Sequence, residues 1–70
     1  MSLSREMCDA RAREAADAAA QATLANVRDR ELRSEAAWRA MSDRIRDTEK
    51  AREKRDAERA ASRAVETATH

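Results

Sequence analysis

Two side chains in this sequence have the chemistry of a nucleophile and a base, Cys8 and His70, and they stand at opposite ends of the chain. A thiol becomes an effective nucleophile when a nearby base or positive site lowers its pKa, so a catalytic Cys needs its His within hydrogen-bond reach. His70 is terminal and alone, and no His lies near Cys8 along the chain. With no Gly there is no phosphate-cradling loop, and one Cys with one His is too few for a clustered metal site. Catalysis, bound cofactors, a metal and a small-molecule substrate are therefore not expected. Cys8 reads as a small packing residue beside Met7. The side chain best suited to binding is Trp38, the sole aromatic, because large aromatics recur as anchors where a helix meets a groove.

Two short patterns around that helix fail on their own residues. Trp38, Ile45 and Ala51 have a spacing that resembles calmodulin targets, but Asp43, Asp47 and Glu49 interrupt the basic face such targets carry. Arg59-Ala-Ala-Ser-Arg63 resembles the basic region of leucine-zipper DNA-binding proteins. The Asn expected ahead of the Ala pair is missing, Asp56 and Glu58 stand close by, and no leucine heptads follow. Lys and Arg number 15 against 14 Asp and Glu, a formal charge of +1, which supplies no net pull towards nucleic acid or an anionic membrane. Nucleic acid is not an expected partner.

The elements that would position these residues follow from what is missing. There is no Gly and no Pro, and Ala, Arg and Glu dominate, so helix breakers are absent while the best helix formers are abundant. This predicts an all-α chain: a single long extended helix, roughly 100 Å if straight, with a bend at Ser34 as the favoured interruption and Asn26 as a second weak point. Ser2 or Ser4 is the expected N-cap, although Arg5 and Met7 three residues on deny both a capping box. Few bulky apolar groups and high charge also mark disorder, but disordered segments are commonly rich in Pro and Gly. Below about 70–80 residues a self-sufficient core normally needs disulfides, a metal or dense Leu/Ile packing, so the chain is not expected to form an independent globule. No apolar run approaches the roughly 20 residues of a membrane span. The N-terminal stretch lacks a signal-peptide core, and Glu6, Asp9, Glu14 and Asp17 argue against a mitochondrial presequence.

Charge and apolarity divide the chain into residues 1–45, a docking segment, and residues 46–70, a charged Ala/Arg/Glu-rich helix with a frayed C-terminus. Taken as one continuous helix, Leu24, Val27, Trp38, Met41 and Ile45 share a stripe about 100° wide. Leu3, Met7, Ala10, Ala25, Leu32 and Ala36 form a second stripe, and two stripes suit a helix wedged between neighbours. A regular two-stranded zipper is disfavoured because the heptad frame puts Glu31, Ser34, Arg52 and Arg55 in the core. The Ala-rich residues 10–25 serve equally as helix filler or as a surface for close approach. In residues 46–64 the pairs Asp47–Lys50 and Arg63–Glu66 are expected to support the helix.

Residues 40–54, Ala-Met-Ser-Asp-Arg-Ile-Arg-Asp-Thr-Glu-Lys-Ala-Arg-Glu-Lys, resemble a helical stretch of the tektins. The matching positions are Ala40, Met41 in place of Phe, Arg44, Ile45, Asp47, Thr48, Ala51, Arg52 in place of Lys, and Lys54. The tektin loop signature is absent, and Arg55 stands where an apolar residue is usual. The resemblance implies a filament-forming or filament-lining rod of ciliary microtubules and carries over no catalytic residue. The expected function is thus a structural accessory helix that lies along and bridges subunits of a larger assembly, with other protein subunits as partners and Leu24, Val27, Leu32, Trp38, Met41 and Ile45 as contact residues. Cytoskeleton or cilium is the favoured setting. The alternatives are a regulatory helix that binds reversibly in a groove of an enzyme or sensor, and a supernumerary subunit of an organellar complex such as a mitochondrial one.

Overall fold

A computed structural model describes residues 3–69. The chain is all-α and elongated, with extents of 70 × 19 × 16 Å. Two helices replace the expected unbroken rod: α1, Arg5–Gln21, and α2, Ala25–Thr69. The helix does not break at Ser34, which lies inside α2; the chain turns at Ala22, Thr23 and Leu24 instead. Asn26 falls in the first turn of α2.

Local chemistry accounts for each end of α1. Ser4 is the N-cap, with extended backbone, and its Oγ accepts a hydrogen bond from the Met7 N–H at 3.2 Å. The Cys8 N–H then donates to the Ser4 carbonyl at 3.1 Å. The other candidate cap, Ser2, lies outside the described residues. Ser4→Ala is expected to cost about 0.5–2 kcal/mol of α1 stability. Amide hydrogen exchange in residues 5–12 should quicken in that variant, and unchanged exchange there would show that the cap contributes nothing.

The turn uses neither Gly nor left-handed backbone; among the described residues no φ is positive. Ala22 reverses the chain from the extended region, φ −68° and ψ 132°, with its N–H bonded to the Ala19 carbonyl at 3.3 Å. Its own carbonyl accepts from the Arg28 guanidinium at 3.2 Å, so a side chain of α2 satisfies a group left orphaned at the end of α1.

α1 then lies back along α2. Cys8, Ala12, Ala15 and Ala19 are its buried residues, spaced four, three and four apart, which places them on one face. On α2 the shielded positions include Val27, Glu31, Ser34, Trp38, Met41 and Ile45, with the same alternation of four and three, and Ser42 is buried beside them. The small side chains are those of α1, and opposite them Trp38, Met41 and Ile45 of α2 lie half-buried. The Ala-rich stretch is thus a packing surface as well as helix filler. Glu31 and Ser34, which argued against a heptad frame, do lie on the seam, half-buried, because small residues opposite leave them a route to solvent.

The seam ends well before α2 does. Residues 47–69 are exposed without exception, a helical overhang of about 34 Å at 1.5 Å per residue. Its ion pairs differ from the expected ones. Asp47 takes the Arg46 Nε at 3.3 Å rather than pairing with Lys50, and Asp56 meets Arg59 at 3.8 Å, while Arg63 and Glu66 do not pair with each other. α2 stays helical through Thr69: the Thr67 and Thr69 hydroxyls donate to the Arg63 and Glu66 carbonyls at 2.9 and 3.0 Å. His70 lies outside the described residues.

Candidate protein-binding surface

A short α1 against a long α2 creates a step, and the step is where the surface becomes concave. Beyond the N-terminus of α1, Met41, Arg44, Ile45, Thr48, Glu49 and Arg52 line an open concavity of about 420 Å³ on α2. A second concavity of about 410 Å³ brings Leu3, Ser4, Arg5, Glu6 and Asp9 together with Ile45 and Glu49. This juxtaposition fixes the register of the antiparallel pair: the start of α1 sits beside Ile45 and Glu49, the end of α1 beside Arg28.

The six residues expected to contact partners divide into two groups. Val27, Trp38, Met41 and Ile45 share the α2 face on which α1 lies, each shielded in part. Their remaining apolar surface is available only along the edges of the seam and at the step. Leu24 and Leu32 are exposed, at 62% and 46%. Leu24 belongs to the turn, so its direction is not set by the helical phase of the others. Leu32 lies about 140° round α2 from the seam, at 100° per residue. The second stripe, which joined Leu3, Met7 and Ala10 to Ala25, Leu32 and Ala36, does not exist as one surface because the turn at 22–24 interrupts its phase. Leu3 and Met7 are exposed on α1, at 43% and 45%.

The feature that residue-by-residue reading missed is the occupant of the Trp38 face. It is a segment of the same chain. The signal was the four-three-four spacing of Cys8, Ala12, Ala15 and Ala19, matched to the alternation from Val27 to Ile45.

Other chemistry on the surface is sparse. Cys8 is fully buried at the seam, closed to substrate or oxidant in the folded hairpin. Among the described residues no group of three or more His, Cys, Asp and Glu side chains is placed to hold a metal ion. No helix among them is long and apolar enough to cross a membrane. The best-formed side-chain pair is Glu35 with Arg39, 2.7 Å apart one helical turn along α2, which holds Glu35 against the flank of the seam.

In comparison with known proteins, the chain matches no protein-family model. It likewise matches no curated protein and no solved structure.

Proposed function

We propose that this chain is a structural accessory subunit, a hairpin-headed strut that lies along a larger assembly and bridges neighbouring protein subunits. One observation carries the reading: α2 continues for residues 47–69 with every one of those residues exposed. Isolated helical segments are marginal in water, and most helical stability in proteins comes from packing. A long bare helix projecting from a small hairpin is best explained as a segment whose packing partner is another chain. The hairpin gives it a head with an apolar seam edge, formed by Val27, Trp38, Met41 and Ile45, and a step at which a second subunit can seat. The likeness of residues 40–54 to a tektin helix favours a cytoskeletal or axonemal filament as the setting.

A strut is held at fixed stoichiometry and leaves only when its neighbours are dismantled. Isolation of the native complex with quantification of this chain tests the reading; an exchangeable, substoichiometric chain would refute it. Scattered charge on the overhang should matter little. Glu53→Gln with Glu58→Gln is expected to alter retention by less than about 1 kcal/mol, because exposed ion pairs are weak. A tenfold loss of occupancy from that pair of changes would assign those carboxylates a direct contact.

A further inference from the structure

The face of α2 that carries the seam does not stop at Ile45. The same alternation of four and three continues through Thr48, Arg52, Arg55, Arg59, Ser62 and Glu66. On the covered half of that face the residues include Val27, Trp38, Met41 and Ile45; on the bare half three of the six are arginines. At 100° per residue, Arg52, Arg55, Arg59 and Arg63 lie within about 80° of one another and span three turns, roughly 16 Å. All four are exposed. Among the described residues only Arg59 of the four has a carboxylate within ion-pair distance, Asp56 at 3.8 Å. The row begins at the step, where Met41, Ile45 and Thr48 line the 420 Å³ concavity together with Arg44, Glu49 and Arg52.

We propose that the Arg52–Arg55–Arg59–Arg63 row, with the concavity at Met41 and Ile45, is the docking site for an acidic helix of a partner protein, which continues the seam where α1 ends. This rests on reading the chain as a strut and names the chemistry of the partner. Continuity sets the occupant: the face already holds one helix, α1, and the bare half is its direct extension. Charge sets the composition, since a helix laid on this row must present Glu or Asp at matching steps of three and four. The concavity calls for one apolar side chain, of Leu size, at the end of that helix nearest α1.

The width of the row decides between a helix and other polyanions. Glu49, Glu53 and Asp56 border the arginines on one side, Asp47 and Glu58 border them on the other, and Glu66 closes the row at its C-terminal end. A helix in the DNA major groove, about 12 Å wide, has phosphates along both flanks, and here those phosphates would face carboxylates. An anionic membrane surface requires a bulky apolar face beside the basic one, and Val65 is the only such residue in the overhang. A second helix touches only the central strip.

The test uses the full chain and a fluorescein-labelled helical peptide of about 21 residues, Ala- and Gln-based, with Glu at steps of three and four along one face and Leu in its last turn. Anisotropy titration should show saturable binding that weakens with salt, and backbone amide shifts should fall on residues 41–66. Arg55→Glu with Arg59→Glu should weaken binding at least about tenfold, because the pairs become like-charged. A peptide with Lys in place of Glu should then restore it. Circular dichroism guards against misfolding, and both positions are outside the seam. Replacement of the peptide's Leu by Ala should cost a further several-fold.

Equal binding of a peptide of the same composition with its Glu residues scattered round the helix would overturn the proposal. So would tighter binding of duplex DNA or phosphatidylglycerol vesicles, or indifference to the arginine reversals. If these tests fail while the chain remains at fixed stoichiometry in its complex, the docking site falls and the strut stands.

Discussion

Ala12→Glu is expected to open the hairpin. Ala12 is fully buried between the helices, so the seam has no room there for a longer side chain. A Glu at this position must bury a charge or push α1 away, and an unpaired buried charge costs several kcal/mol. Little opposes that cost. The buried face of α1 is Cys8, Ala12, Ala15 and Ala19, and each buried methyl is worth only about 0.8 kcal/mol, so α1 detaches rather than tolerating the charge. Glu is a good helix former, so the change acts on packing and not on the helix itself. Spin labels at Glu6 and Glu49, which line one concavity, should lie within roughly 20 Å in the parent chain. They should move apart towards the roughly 65 Å of a continuous helix in the variant. Ala18→Glu is the control, since Ala18 is exposed and the same substitution should leave the distance unchanged. Identical distances in Ala12→Glu and the parent would show that α1 is not held by this seam.

The second large effect is expected from Trp38→Ala combined with Ile45→Ala. Fully buried, each truncation would remove about 2–5 kcal/mol. In the isolated hairpin both side chains are only half-covered, so the cost to the hairpin alone is a fraction of that range. In an assembly the uncovered edges are the surface a neighbour can bury, and the remainder of the range is lost there. The double variant should therefore loosen α1 in the free chain and leave its complex altogether. Occupancy in the isolated complex reads the second effect, and the label distance reads the first. Normal occupancy with an undisturbed hairpin would remove Trp38 and Ile45 from the list of anchors.

The parts of the structure that were readable in advance are those governed by local chemistry. Absence of Gly and Pro forces helix along nearly the whole chain, and Ser4 caps α1 by the hydrogen bond its side chain is placed to accept. Val27, Trp38, Met41 and Ile45 share one face because they lie downstream of the turn, within a single uninterrupted helix. Leu3 and Leu32 were phased together only on the assumption of an unbroken helix, and three residues of turn erase that relation. The position of the turn carried little local signal. Ala22 and Leu24 are good helix formers, and Thr23 alone is β-branched. Ser34, a weaker helix former than its neighbours, stays helical because a break there would destroy the seam on both sides of it.

Sequence by itself therefore determined helix, elongation and the face on which α2 packs, since these depend on propensity and on a period of 3.6 residues. Only the tertiary structure decided that the chain folds back at Ala22–Leu24, that α1 occupies the Trp38 face, and that residues 47–69 stand bare. Those outcomes turn on a balance between distant segments: a few helical hydrogen bonds surrendered at the turn against the close approach that Cys8, Ala12, Ala15 and Ala19 permit. No single residue records that balance, because it belongs to the fit of one face against another.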